Sequence, residues 1–483
     1  MKHMKRVLLL ILLGCLVLPC TSAFAFDLFG GRLHDGKGRI QQTLMMRTHR
    51  DARDVQFTSF RTMLRLEGLV DIAETENTSF RLYGFFEYWR DYATHIDSGL
   101  KRAIRNEGGG GHGLQEHYAS NEEEEIIKEL YIDMEFGGAW NIRLGKQIVT
   151  WGETSESRVA DIINPLDVTN LVGYPDWEDY KVGLWMARIF FTPDDMWADM
   201  SFELIVIPYL FEETRVPPGG SGFFLGGAIN PLTSKLLHKW RHDKPDDGWD
   251  NTEWGFKVRG LVKDFDWTLS VFHTRLDGPP LFNEDKGYGN FVKMLQGYYH
   301  DKIFRYPWYT SIAATFSKPM FGGIVSGEFV LNTDRDYQYG TSDIKEKDLF
   351  VSALGFDKNF NWAWLAKINK GVSLITNITW YHYKLLDFEH DHTTGEFIKW
   401  ENGHPESSWD KLSVKLQTSF FDHTLLTGIQ GTYDFNGNTD FVARLMYFPG
   451  DHWFYELAYQ QINEKGNAGH LGNQVIFNVR YEF

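Results

Sequence analysis

The sequence predicts an all-β protein, a transmembrane antiparallel β-barrel of about 18 strands with 16 the nearest alternative. Three observations predict it. Long stretches alternate apolar and polar residues one by one. Their connections alternate between short turns and long polar segments. The chain opens with an export signal and finishes in an apolar, aromatic comb ending at Phe483.

Lys2, Lys5 and Arg6 form a basic start, Val7 to Leu18 is nearly all apolar, and Ala23-Phe24-Ala25 offers small residues at a cleavage site. Residues 1–25 therefore read as a secretory signal peptide, with residues 26–483 one barrel domain. The apolar run is shorter than the roughly 20 residues that a spanning helix needs. Leu12-Leu13-Gly14-Cys15 also fits a lipoprotein cleavage site, but the apolar run continues past Cys15.

Both cysteines, Cys15 and Cys20, fall inside that signal, so the mature chain is expected to form no disulfide and to have no thiolate chemistry. Loss of Lys2, Lys5 and Arg6 takes the net charge from −16 to −19, which argues against a nucleic-acid partner. No stretch after the signal approaches 18 apolar residues, so any crossing of a membrane must use strands.

Thr62 to Ile72 sets Leu64, Leu66, Val70 and Ile72 against Arg61, Arg65, Glu67 and Asp71. Ser79 to Asp91 sets Phe80, Leu82, Phe86 and Tyr88 against Arg81, Glu87 and Asp91, and Asp410 to Phe420 sets Leu412, Val414 and Leu416 against Lys411, Lys415 and Gln417. Such a period of two means one apolar and one polar face. Soluble sandwiches use strands of about 5–6 residues. Here the alternation lasts 10 to 14 residues, enough to cross a hydrocarbon layer at a tilt.

Tight turns fall near 74–77, 137–138, 192–195, 263–265, 317–320, 421–423 and 449–451, and long polar segments near 94–122, 151–179, 208–250, 277–305, 333–344 and 387–407. Counting back from the last strand, about 472–483, yields 17 strands, and Arg39 to Arg50 supplies the eighteenth. An even number puts both ends of the chain on the periplasmic side, with the long segments outside. Val475, Phe477, Val479, Tyr481 and Phe483 alternate with Asn478, Arg480 and Glu482. Val479, Tyr481 and Phe483 are therefore read as a C-terminal assembly signal for the barrel-assembly machinery.

No Gly-x-Ser-x-Gly elbow, His-Glu-x-x-His helix or phosphate loop is present, so neither catalytic residues nor a cofactor are expected. Asp387, Glu389, His390, Asp391 and His392 resemble a ligand set but read as a solvated loop, and no metal is expected. Glu122 to Glu125 reads as a solvated charge run, with a cation contact at lipid headgroups as its alternative. The faces turned to the lumen carry both charge signs: Arg61, Arg65, Glu67, Arg81, Glu87, Asp133, Glu135, Arg143, Lys257, Arg259, Lys411, Lys415, Arg480 and Glu482. Most should pair across strands, leaving a few to meet a permeating solute.

One segment carries a denser pattern: Arg143-Leu-Gly-Lys-Gln147, Trp151-Gly-Glu153, then Asp161-Ile-Ile-Asn-Pro-Leu-Asp167. A strand feeds a long loop that either stays outside or folds inward. If it folds inward, Glu153, Arg158, Asp161 and Asp167 should line the narrowest point, with Arg143, Gln147 and Trp151 also lining the lumen or its constriction.

That segment, with Glu87-Tyr-Trp-Arg-Asp91 and Asp97, resembles the exported bacterial family labelled domain of unknown function 1302. The resemblance implies an outer-membrane barrel and an association with hydrophobic small molecules, and it brings no catalytic residues. The resulting expectation is a porin-like outer-membrane channel for passive uptake of small solutes, hydrophobic or aromatic ones included, in a Gram-negative-type bacterium. Its partners would be outer-membrane lipid and the solute, with a homo-oligomer left open. A lipid-acting outer-membrane enzyme and a docking barrel for periplasmic or electron-transfer proteins are the alternatives.

Overall fold

The computed structural model describes residues 33–48, 55–107, 120–121, 125–153, 158–169, 177–194, 196–208, 210–215, 242–243, 245–246, 248–278, 281–282, 304–339, 343–361, 373–391, 396–399, 406–435, 437–463 and 473–483. The expected signal peptide, the insert Gly108–Gly113, Glu122 to Glu124, His392 and most of 208–250 lie outside the described residues.

Eighteen strands form the wall. They are β1 Leu33–Arg47, β2 Phe57–Glu74, β3 Thr78–Asp91, β4 Ile127–Phe136, β5 Trp140–Gln147 and β6 Leu184–Phe191. Next come β7 Ser201–Ile207, β8 Glu253–Val262, β9 Phe265–Arg275, β10 Trp308–Met320, β11 Gly323–Tyr339 and β12 Asp343–Phe360. The last six are β13 Leu374–Leu385, β14 Ser408–Phe420, β15 Leu425–Asp434, β16 Thr439–Tyr447, β17 Trp453–Asn463 and β18 Gln474–Glu482. Each strand pairs antiparallel with the next, and β18 returns to β1 in register from Arg39 opposite Glu482 to Arg47 opposite Gln474. Phe483 completes the seam: its N–H donates to the Gly38 carbonyl at 2.9 Å and its carbonyl accepts the Gly38 N–H at 2.7 Å. The ring is therefore closed and leaves no wall edge unpaired.

The predicted strand centres hold, the turn expected at 317–320 falls instead at Phe321 and Gly322, and one expected loop does not form. Residues 333–344 were expected to form a long segment. Instead β11 and β12 extend into it, with Arg335 opposite Lys347 through Tyr339 opposite Asp343. A bulge at Asp334, which takes a positive φ of 59°, absorbs the register shift, so pairing resumes past the polar residues.

Side chains sort by face as the period of two requires. Leu66, Phe86, Leu144, Leu269, Ile312, Ile429 and Leu457 point away from the lumen and are exposed, Leu269 at 54% and Leu457 at 50%. In water such a band would be unfavourable, whereas hydrocarbon would cover it. Aromatic rings run along the outer wall from strand to strand: Trp140, Phe191, Phe202 and Phe256 follow one another at 4.4, 6.1 and 6.4 Å between centroids. Among the described residues no helix is long and apolar enough to cross a membrane.

The buried core lies inside the barrel. Chain inserted between β3 and β4 packs against β1, β17 and β18, where Leu100, Ala103 and Ile104 meet Met45, Ala458 and Ile476. Chain inserted between β5 and β6 packs against other parts of the wall. Trp151 and Ile163 meet Leu184, Met186, Ile205 and Phe272, while Val159 and Ala160 meet Ala313, Val330, Leu349, Val351 and Tyr381.

Candidate functional site: a loop folded into the lumen

The loop between β5 and β6, residues 148–183, is built on the motif segment. Gly145 in β5 has a φ of +141°, and a Cβ there would fall 2.2 Å from the Leu130 carbonyl oxygen, so only glycine fits. Arg143 beside it donates to Asp133 from Nε and Nη2 at 3.1 and 2.6 Å and lies over the Tyr131 ring. Gln147 ends the strand fully buried, its Nε2 donating to the Met186 carbonyl at 3.1 Å.

Two buried polar side chains hold the base of the loop closed. Asn164 accepts the Val149 N–H at 2.8 Å and donates to the carbonyls of Gln147 and Val182 at 3.1 and 2.8 Å. Lys181, wholly buried, donates to the Val149 carbonyl at 3.1 Å and to Thr150 Oγ1 at 2.6 Å, and its charge meets Asp161 at 2.8 Å. Asp161 also pairs with Arg158 at 3.5 Å, and Arg158 donates to the Asn164 carbonyl at 2.7 Å. Burying these charges is tolerable because each has a partner of opposite sign and further hydrogen bonds.

The loop then meets the wall. Trp151 donates its indole N–H to Glu203 at 3.0 Å, and Glu203 also receives Arg188 at 2.6 Å and Lys257 at 3.0 Å. A Cβ at Gly255 would lie 2.9 Å from the Trp151 ring and 2.7 Å from the Phe272 ring, so the absent side chain makes the room the indole fills. Further along, Glu328 of β11, fully buried, accepts the Glu153 N–H at 2.6 Å on one oxygen and the Ala160 N–H at 2.8 Å on the other. One carboxylate thus holds both limbs of the loop's tip. The returning limb is held by β2, β3 and β4: Arg65 pairs with Glu87 and with Asp179 at 2.8 Å, while Lys128 donates to the Asp179 carbonyl at 3.0 Å.

The predicted site residues therefore separate. Gln147, Trp151 and Asp161 are buried in the loop's own framework and do not face open lumen. Arg158 is largely buried beside Asp161. Asp167 caps its own turn, accepting the Thr169 N–H at 3.0 Å, and its backbone bridges to Tyr180. Glu153 alone of the loop set is exposed. Partial loss of surrounding water inside the barrel raises its pKa, Asp266 and Glu328 raise it further, and Arg259 and Lys257 oppose them. Arg81 pairs with Glu135 and Arg143 with Asp133; Arg81, Asp133 and Arg143, with Lys37, Glu67, Tyr83 and Tyr131, line a cavity of about 330 Å³ toward the short-turn end. Lys411 and Lys415 lie partly buried on β14, Lys411 over the Tyr381 ring at 5.5 Å. Val479, Tyr481 and Phe483 lie along the outward side of the seam strand.

One other expectation changes. Glu125 is not a solvated charge: it is ion-paired with Arg215, its side chain 10% exposed. Glu389 pairs with Lys347 at 2.7 Å and Lys345 at 3.5 Å; its hydrogen bond to Lys347 lowers its pKa, and no metal-ligating group forms among the described residues. Glu203, Glu328 and Lys181 were missed. A signal for Glu328 was available, since alternation along 320–332 places this single carboxylate on the inward face beside Val330.

The family model described as a protein of unknown function, DUF1302, matches residues 47–483. The chain belongs to that family. No curated protein matches its sequence. Among solved structures it is similar to OccAB4 of Acinetobacter baumannii, at 8% identity and a TM-score of 0.50, covering 93% of this chain and 97% of that one. It is also similar to OccAB3 of the same organism, at 8% identity and a TM-score of 0.48, covering 93% and 98%. At such identity the likeness concerns the fold, a closed barrel of the outer-membrane porin type.

Proposed function

We propose that this DUF1302 protein is an outer-membrane channel that passes small solutes passively through a lumen narrowed by the 148–183 loop, without catalysis. The observation that carries this reading is the clasp at Glu328. A loop leaving β5 crosses to β11 and is fixed there at both limbs, so it narrows the lumen without sealing it by strand pairing. Glu153, exposed at that crossing, is the group placed to meet a solute, with Arg65, Arg81, Glu87, Lys411 and Lys415 shaping the field around it. The 330 Å³ cavity lies on the inward face of the wall toward the short turns. Tyr83 and Tyr131 in this chamber suit small hydrophobic or aromatic solutes. In this reading residues 1–25 direct export, the short turns face the periplasm, and Val479, Tyr481 and Phe483 are read by the barrel-assembly machinery.

Planar-bilayer recording on the purified full chain tests the proposal. Discrete conductance steps are expected. Their absence across voltage, pH and salt would overturn it.

A further inference from the structure

The second inward element, between β3 and β4, has a feature that wall packing does not require. The helix α1, Ser98–Glu107, begins at Asp97, whose one carboxylate oxygen accepts the Leu100 N–H at 2.9 Å while the other accepts the N–H groups of Gln56 and Phe57 at 2.8 and 2.9 Å. The N-cap is therefore also the tether that fixes the helix to the start of β2. Leu100, Ala103 and Ile104 bury the apolar face against Met45, Ala458 and Ile476, all on inward faces of the wall. Lys101, Arg102 and Arg105 are exposed on the side turned away from that wall. Lys101 and Arg105 are four residues apart, a like-charge spacing that weakens a helix. Helix stability therefore does not explain them. Arg444 of β16 and Arg480 of β18 also lie on the inward face of the wall, Arg444 near Glu456 at 3.8 Å and Arg480 near Glu482 at 3.4 Å.

We propose that α1 is an anion-recruiting surface inside the long-loop half of the lumen, giving the channel a preference for small organic anions in a chain whose net charge is −16. The inference rests on the channel reading. Acidic loops would repel anions from the approach, whereas a cationic face within low-dielectric walls raises their local concentration inside the barrel.

The test compares the full-length protein with Lys101→Glu/Arg105→Glu and Lys101→Gln/Arg105→Gln in planar bilayers under a potassium chloride gradient, then with benzoate replacing chloride. Ionic strength is kept near 0.1 M or below, where charges act over about 10 Å. Heat-modifiable gel migration establishes that each variant is a folded barrel, and the glutamine pair serves if the glutamate pair does not fold. Wild-type protein should favour both anions over potassium, with the permeability ratio above one. The glutamine pair should bring it toward one, and the glutamate pair below. A cation-preferring wild type, or a ratio unmoved in conducting variants, overturns the role of α1 while leaving the channel intact. A wild type that never conducts overturns the channel reading and this inference with it.

Discussion

Glu328 contributes two oxygens to two backbone donors of a loop that leaves the wall 175 and 168 residues earlier in the chain. Replacing it with alanine leaves the Glu153 and Ala160 N–H groups without that acceptor, at about 1–3 kcal/mol for each that stays buried. Glu328→Ala should therefore free the loop tip, raising single-channel conductance and its noise, while the barrel keeps its heat-modifiable migration. Unchanged conductance would show that the clasp does not set the opening. Glu153 makes a second prediction. Its raised pKa means it takes up a proton at a pH where an ordinary glutamate, near 4.5, is still ionised. The sign for stability follows: its contribution is present below the ordinary value and is lost as pH rises through the raised one. Cation permeability should fall on acidification at a pH above the ordinary glutamate range, and Glu153→Gln should remove that step from the conductance titration. The neighbouring residues also mark what was illegible in sequence. Glu153 and Asp161 are both acidic loop residues, yet one is exposed and the other is neutralised by Lys181 and Arg158. That difference comes from partners which local spacing does not announce.

The element that behaves as a unit is the loop 148–183. Asn164 joins its two ends through three hydrogen bonds, and all of its side chain is buried. Asn164→Ala should open the base at a cost of about 1–3 kcal/mol. The expected readout is new protease cleavage within the loop with the wall still intact by gel migration; protection equal to wild type would refute it. The motif that drew attention in the sequence thus encodes a scaffold. Asp161 and Asn164 organise the fold of the loop, and Arg143, Gly145 and Gln147 shape the strand that launches it. Its length and turn formers were readable. Its direction was not, because inward folding depends on Glu203 and Glu328 across the lumen, and on the space left at Gly255.

Over the whole molecule, the eighteen strands and their antiparallel order were legible because one rule, alternation every second residue, acts on all of them. Even β1, whose alternation is weak, followed from parity. The rule failed only where polar residues continue a strand, as at the top of β11 and β12. The seam supplies a further prediction. Phe483 pairs by backbone with Gly38 and exposes half of its ring, 50%, outward beside Tyr481. Phe483→Ala keeps the backbone pairing, so a fall in the yield of heat-modifiable barrel would point to recognition of the ring during assembly. An equal yield would count against the assembly signal.

Closure also limits how this architecture can change size. Removing one strand would bring the first and last strands together pointing the same way, and the seam register from Arg39 to Arg47 could not form. Circumference can therefore change only by whole hairpins, two strands at a time. The loop from β5 to β11 is a chord across that circle, so a hairpin lost between those strands would shorten the span and release the carboxylate that ends it. Girth and bore are thereby coupled, and a relative with fewer strands in this arc must also have redrawn its chord.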